Sequence, residues 1–209
     1  WGSNENGKLG VPSLGTGTPA ARSSPIQVGS DTTWNIVNSN TNGLILAIKT
    51  DGTMWGWGSN TYGSLGLSDK TFRSSPTQIP GTTWAYAEVG YRSSGAVKTD
   101  GTLWAFGAGS AGQLGQNERT GYSSPKQVTG TWKTGMNQLT ANGDSGRMMA
   151  VQSDGTLWAW GTGESGELGQ NQNGQPGNRS SPTQVGSGTD WHTVKVNMHG
   201  GAWATTRTT

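Results

Sequence analysis

The chain has 209 residues, with 36 Gly, 11 Trp and no Cys, and its 14 Lys and Arg stand against 12 Asp and Glu for a net charge of +2. Charged residues make up 12% of it, about half of the roughly 25% usual in soluble domains, which argues against a nucleic-acid partner because such domains gather Lys and Arg into a patch or stripe. The missing Cys excludes a disulfide framework, a thiolate nucleophile and a Cys-ligated zinc. The longest apolar run, Leu44 to Ile48, is far below the roughly 20 residues that cross a bilayer as a helix, so no membrane insertion is expected. No signal peptide is visible, and the chain starts at Trp1 without Met, as expected of a processed product, a fragment or part of something longer.

Aliphatic side chains are scarce, so Trp must supply much of the core. A buried Trp removes about 150–250 Å² from water, worth roughly 4–6 kcal/mol at about 25 cal/mol per Å² as an upper value. Along the chain four landmarks recur in one order. Gly-x-Leu-Gly stands at Gly7–Gly10, Gly63–Gly66, Gly112–Gly115 and Gly166–Gly169; Ser-Ser-Pro follows, ending at Pro25, Pro76, Pro125 and Pro182. A lone Trp comes next at Trp34, Trp84, Trp132 and Trp191, and Asp-Gly-Thr opens the run into the following unit at Asp51, Asp100 and Asp154. Residues 1–209 thus read as a single propeller domain or propeller fragment of four repeats of about 53 residues.

Each repeat predicts four short strands. The first is the Pro-x-Gln-Val segment (76–79, 125–128, 182–185), the second follows the lone Trp (84–89), the third is 47–49 or 96–98, and the fourth is 54–57 or 103–106. Asp-Gly between the last two predicts a hairpin with a type I′ turn, which needs positive φ at both central residues. In the fourth strand Trp55 and Trp57 share a face while Gly56, Ala105 and Ala159 leave room on the other for a neighbouring sheet. No segment has a 3.6-residue period, so almost no helix is expected. The fold class is all-β, a β-propeller of four-stranded blades.

The order W-G-x-N-x-x-G-x-L-G, Pro-x-x-Val, Val-x-x-Gly and Ala-Ile/Val-Lys-x-Asp-Gly, clearest at 57–66 and 89–101, resembles the repeat of the regulator of chromosome condensation propellers. That resemblance covers essentially the whole chain. It implies seven blades in the usual member and a His on the approach to the third strand, a place held here by His199 and, in the second unit, by Arg92. Aligning 196–209 with 89–102, and Trp1 with Trp57, brings the two ends into one hairpin. The chain is then a four-bladed ring or, the preferred reading, four blades of a larger ring of about seven.

Several motifs carry no chemistry. Gly107-x-Gly109-x-x-Gly112 and Gly161-x-Gly163-x-x-Gly166 fit the dinucleotide fingerprint, but its pyrophosphate needs a following helix. The other two units hold Asn4 and Asn60 at the middle Gly, an exchange that suggests a left-handed turn. Gly2 to Lys8 imitates a phosphate loop yet ends on Leu9 where Ser or Thr must hold magnesium. His192 and His199 lack a nucleophile-elbow partner, and Asp51, Asp100 and Asp154 belong to turns. Asn171, Asn173 and Gly174 lack the carboxylates of a calcium loop, and Asn178-Arg179-Ser180 is a formal glycosylation acceptor. No catalytic, cofactor-binding or metal residues are assigned, and no enzyme activity is expected.

Function is then expected where the repeats differ, in the loops between Gly-x-Leu-Gly and Ser-Ser-Pro. Candidate partner-binding residues there are Phe72, Arg73, Arg119, Tyr122 and Arg179, types enriched at binding hot spots. Recurrence of Arg before Ser-Ser-Pro, at Arg22, Arg73 and Arg179, also fits a structural role. Low charge and abundant small polar residues suggest a non-catalytic interaction module displayed on a virion or an extracellular surface, a phage decoration, tail or adhesin component. Its partners would be other proteins of the particle or surface, with glycan contact by exposed rings such as Tyr62, Tyr91 and Tyr122 a further option. The resemblance implies the alternative, a regulatory propeller that exchanges guanine nucleotide on a small GTPase or binds chromatin.

Overall fold

A computed structural model describes residues 1–16, 21–142, 146–171, 177–196 and 201–206. Three antiparallel four-stranded meanders follow one another. The first comprises β1 (Trp34–Ser39), β2 (Leu44–Lys49), β3 (Met54–Gly58) and β4 (Arg73–Ile79). The second comprises β5 (Trp84–Val89), β6 (Ser93–Lys98), β7 (Leu103–Gly107) and β8 (Tyr122–Val128). The third comprises β9 (Leu139–Asn142), β10 (Arg147–Val151), β11 (Leu157–Gly161) and β12 (Arg179–Gln184), and β13 (Trp191–Val196) pairs with β14 (Ala202–Thr206) alone. Among the described residues the helical content is two single 3-10 turns, Glu5–Gly7 and Pro12–Leu14.

The sheets cut the repeat at a different place from the sequence reading. The Ser-Ser-Pro segment does not lead into the Trp strand of its own sheet; it is the outer edge of the preceding one, where Met54 faces Ile79 and Gly58 faces Arg73. It also begins three residues earlier than expected, at Arg73, Tyr122 and Arg179. The third-strand segment is longer too, Leu44–Lys49 and Ser93–Lys98. A blade therefore runs from the lone Trp to the next Ser-Ser-Pro strand, and the variable loop lies inside it.

Asp-Gly makes the hairpin by another turn. Gly52, Gly101 and Gly155 have φ of 77, 81 and 86°, whereas Asp51, Asp100 and Asp154 are absent from the residues with positive φ. Gly52 donates its N–H to Lys49 O at 3.0 Å, and Lys49 N–H bonds Thr53 O at 3.0 Å. That is a three-residue loop, a turn closed by a left-handed Gly in a bulge, so only the Gly needs positive φ.

Three apolar clusters lie between blades. Leu44, Leu46, Ile48 and Leu65 of the first blade meet Trp84, Val89 and Phe106 of the second. Tyr86, Val97 and Leu114 meet Leu139, Met148 and Trp160 of the third, which in turn packs Met149, Leu157 and Leu168 on Val194. Small residues on the third strand admit this packing: a Cβ on Gly56 would stand 3.0 Å from Leu65 Cδ2.

One joint recurs at each boundary. The first Gly of Gly-x-Leu-Gly lies on the first Ser of the next Ser-Ser-Pro strand: Cβ atoms on Gly7, Gly63 and Gly112 would come within 2.7, 2.7 and 2.6 Å of Ser74, Ser123 and Ser180. The last Gly lies under the second aromatic of the next third strand, Gly10 under Trp57, Gly66 under Phe106 and Gly115 under Trp160. Between them the carbonyl before Leu accepts the indole N–H, Trp57 Nε1 to Lys8 O at 3.3 Å and Trp160 Nε1 to Gln113 O at 2.9 Å. The Phe106 ring has no N–H, and there Ser94 Oγ donates to Ser64 O at 2.9 Å instead.

The start of the chain repeats this pattern. Gly2 bridges Arg22 as Gly58 pairs with Arg73, which supports the alignment of Trp1 with Trp57. At the other end Trp191 faces Thr206 as Trp84 faces Lys98, so Thr206, rather than Thr205, takes the place of Lys98. The extra residue falls between Val196 and Ala202; His199 and 207–209 lie outside the described residues.

Candidate protein-binding face

Antiparallel strands sort the loops to two ends of each sheet. The Asp-Gly-Thr hairpins occupy one end and are internally satisfied. Thr53, Thr102 and Thr156 hydroxyls each donate to the Asp Oδ1 two residues before, at 2.7 Å, and accept an indole N–H from Trp55, Trp104 and Trp158 at 2.9, 3.0 and 2.8 Å. The Thr hydroxyl and N–H hold the Asp51 and Asp154 carboxyls below the usual range, and the N–H and hydroxyl of Thr102 do so at Asp100. These carboxylates stay ionised as turn locks. Beside them Lys49 Nζ lies 4.9 and 4.1 Å from the Trp34 and Trp55 ring centres and ion-pairs with Asp31, while Lys98 lies 4.9 Å from both Trp84 and Trp104.

The opposite end carries the loops from third to fourth strand and the tight loops 40–43 and 90–92. Arg73 opens β4 and is tied down, with Nη2 2.6 Å from Asp69 Oδ2 and Nη1 donating to Thr71 O at 2.8 Å. The Thr71 N–H, and after it Arg73, holds the Asp69 carboxyl below its usual range. Phe72 beside it is half-buried. Tyr122 opens β8, hydrogen-bonds Glu118 and carries Lys126 Nζ 5.0 Å from its ring centre. Arg179 opens β12 and donates to Asn178 O at 3.4 Å. Arg119 is exposed. Arg73, Tyr122 and Arg179 occupy one repeated place, each facing the Gly that ends a third strand. The five residues lie on successive blades and are not gathered into one contact cluster.

Sequence reasoning missed one arrangement that joins two blades at this end. Arg92 is exposed, with its guanidinium carbon 5.1 Å from the Tyr62 ring centre and 5.5 Å from that of Tyr91. Tyr62 belongs to the first blade and the other two to the second. Their backbones are pinned, since Arg92 O accepts Ser64 Oγ at 2.6 Å and Tyr91 O accepts Asn42 Nδ2 at 3.2 Å. The available signal was Arg92 at the His place of the repeat, with a Tyr before it.

The Asn and Gly exchange in the same loops is not a left-handed turn. Asn4 has φ of −105°, and neither Asn60, Gly109 nor Gly163 has positive φ. Asn4 and Asn60 are buried staples instead. Asn60 Oδ1 accepts the Leu65 N–H at 2.9 Å while its Nδ2 donates to Asp69 O at 3.0 Å and Thr71 O at 3.2 Å, and Asn4 bonds Leu9 N–H and Gly15 O at 3.0 and 3.1 Å. Where Gly replaces Asn the loop backbone fills that space, Thr120 O against Gly109 and Gly177 O against Gly163. No helix follows either glycine run among the described residues. Of the remaining motif residues, His192 stands on β13 with a buried Nδ1, Asn171 has φ of 53°, and Asn173 and Gly174 lie outside the described residues.

Comparison with known proteins agrees with this geometry. The regulator of chromosome condensation (RCC1) repeat matches residues 51–97, 100–137 and 154–201, more than half of the chain. The chain belongs to that repeat family. It is 30% identical over 199 residues to the ultraviolet-B receptor UVR8 of Arabidopsis thaliana, covering 94% of this chain and 43% of the receptor. Human WBSCR16 superposes with a TM-score of 0.70 at 20% identity, over 97% of this chain and 52% of that one. Yeast RCC1 (Prp20), in its complex with Kap60, gives 0.71 at 17% identity over 100% of this chain and 50% of that one. Prp20p of Saccharomyces cerevisiae, solved alongside its binding to Gsp1p and histones, gives 0.67 at 18% over 93% and 47%. The chain thus spans about half the length of these relatives.

Proposed function

We propose that this chain is part of a regulatory propeller that acts by binding other proteins through the loop end bearing Tyr62, Arg92 and Tyr91, with Phe72, Arg73, Arg119, Tyr122 and Arg179 on the surrounding rim. The observation that carries this reading is the exposed Arg92 held against two rings from neighbouring blades. An Arg so placed loses little freedom on binding, and Arg and Tyr are the types that dominate interface energies. The relatives favour the same reading over a module displayed on a virion, which rested on composition and on the likeness of its near-identical repeats to those of phage and bacterial surface proteins: Prp20p binds Gsp1p and histones, and yeast RCC1 binds Kap60. Small GTPases and histones are therefore the first partner classes to test.

Immobilised chain is titrated with a nucleotide-free Gsp1p-type GTPase and with core histones. Wild type binds one of them, and Arg92→Ala and Tyr62→Ala weaken that binding at least tenfold while leaving the far-ultraviolet circular dichroism unchanged. Equal binding by all three proteins, or none by wild type, overturns the assignment. Accelerated release of labelled GDP from the same GTPase in its GDP-loaded form would identify the narrower activity, nucleotide exchange.

A further inference from the structure

One place in the repeat changes its charge from blade to blade. The residue that faces the lone Trp is Lys49 against Trp34, Lys98 against Trp84, Gln152 against Trp132 and Thr206 against Trp191. The two lysines lie in matching cradles. Trp34 and Trp55 stand edge to face with ring centres 6.2 Å apart, and Trp84 and Trp104 do so at 6.4 Å. In the first blade the cradle is filled from within. Asp31, three residues before Trp34, ion-pairs with Lys49, and its Oδ1 accepts the Thr33 N–H and hydroxyl at 2.8 and 2.5 Å. Lys49 leads these partners in holding the Asp31 carboxyl below its usual range. In the second blade the residue three before the Trp is Gly81. A Cβ built there would stand 3.6 Å from Lys98 Nζ, so a carboxylate in this spot would reach the ammonium, and Gly81 brings none. Asp100 does not replace it, because it is locked to Thr102 as Asp51 is locked to Thr53 beside Lys49. Among the described residues Lys98 makes no ion pair. A cavity of about 310 Å³ lies over it instead, walled by Pro80, Gly81, Trp84, Trp104 and Pro125. The third blade has a cavity of about 330 Å³ in the same place, beside Gly130, Gln152 and Trp158, with no charged residue in its wall.

We propose that the Lys98 cavity binds an acidic side chain of a partner protein, its carboxylate on Lys98 Nζ as that of Asp31 is on Lys49, with an adjoining apolar side chain against Trp104, Pro80 and Pro125. The first blade supplies the template, since the occupant there is itself an aspartate carried on a polypeptide loop. An ion pair at a partly open surface is weak by itself, so the carboxylate selects the ligand and the apolar walls retain it. The wall is preformed: the Thr102 hydroxyl holds the Trp104 indole N–H at 3.0 Å, and the ring gives up little freedom on binding. Lys98 ends β6 and Arg92 precedes it, so this site lies at the other end of the sheet from the Tyr62–Arg92 face and stands or falls apart from it.

The probe is the capped peptide acetyl-Gly-Asp-Leu-Gly-amide, titrated into the isotope-labelled 209-residue chain while the indole N–H resonances are followed by nuclear magnetic resonance. A saturable shift of the Trp84 and Trp104 signals is expected, with Trp158 unmoved. Exchanging the peptide's Asp for Asn, or making Lys98→Gln, which installs the residue of the third blade, should each weaken binding at least tenfold, and Lys98→Arg should retain it. Asp31→Gly frees Lys49, so the Trp55 signal should then shift in the same titration. Equal binding of the Asn peptide, unchanged binding by a natively folded Lys98→Gln chain, or no shift in wild type would overturn the proposal. Sodium hexanoate binding as tightly as the peptide would overturn its polypeptide source and assign the cavity to a free carboxylic acid.

Discussion

At the boundary of the first and second blades the indole donor of the other joints is replaced by a hydroxyl, and the substitution Ser94→Ala isolates its worth. Ser94 is fully buried and Ser64 is 4% exposed, so removing the hydroxyl leaves the Ser64 carbonyl without this donor and out of water. An unsatisfied buried group of this kind costs about 1–3 kcal/mol, and in a chain of this size each kcal/mol lowers Tm by roughly 2–4 °C. In a Phe106→Trp background the indole N–H reaches the same carbonyl, as Trp57 and Trp160 do. The cost of Ser94→Ala there should fall below about 1 kcal/mol, a coupling of the size expected for groups sharing a partner. Urea unfolding of the four proteins, followed by circular dichroism with a common m-value, supplies the cycle. An equal cost of Ser94→Ala in both backgrounds would refute the exchange of donors.

Three other experiments probe separate parts of the same logic. Burial pushes the Glu88 carboxyl up, against the opposing effects of the Tyr86 hydroxyl at 2.6 Å and of Lys195. A carboxyl raised on folding favours the folded chain below its unfolded pKa and loses that contribution as pH rises through the folded value; Glu88→Gln should therefore raise the urea midpoint at pH 8 relative to wild type and lose the advantage by pH 4. Gly112→Ala forces positive φ and sets a Cβ 2.6 Å from Ser180 Cα, whereas Gly186 has similar φ with nothing within 4 Å. Gly186→Ala should cost about 1–2 kcal/mol and Gly112→Ala clearly more, compared by thermal unfolding. Arg147 is fully buried with Nη1 3.3 Å from Glu167 Oε1 and, among the described residues, no hydrogen-bond partner for Nε or Nη2, and burial lowers its pKa while Glu167 opposes the fall. Replacing the pair by residues the other repeats use there, Arg147→Leu with Glu167→Gln, should be neutral or stabilising by up to about 4 kcal/mol, and Arg147→Leu alone destabilising.

The propeller was legible because its signals are local and recur three or four times. Asp-Gly-Thr-x-Trp contains the whole hairpin lock within five residues, since the Thr hydroxyl bonds backward to Asp and forward to Trp. The blade boundary was not legible, because nothing in Ser-Ser-Pro states which of two flanking strands it will pair with. In the fold Arg73, Tyr122 and Arg179 face Gly58, Gly107 and Gly161 at the end of the third strand, and the missing Cβ of these glycines admits the backbone that enters the second strand, Arg92 O lying 2.5 Å from where a Cβ on Gly107 would stand. The turn type failed for a related reason: Asp-Gly is compatible with a two-residue or a three-residue loop, and Thr53 pairing with Lys49 selects the longer.

The candidate face was less legible, because its residues meet across blades. Tyr62 and Arg92 are thirty positions apart, and their loops are tied where Ser64 Oγ bonds Arg92 O and Ser94 Oγ bonds Ser64 O. Thus the residue that replaces the indole donor in the joint also anchors the strand whose entry loop presents Arg92, which links the architecture of this boundary to its surface. Loss of the Ser94 hydroxyl should accordingly loosen Arg92 as well as the core, and the measurable consequence is faster amide exchange at Tyr91–Ser93 in Ser94→Ala, with the loops of the third blade unchanged. Uniform exchange across both blades would show that the stacked Arg92 is held by its rings alone.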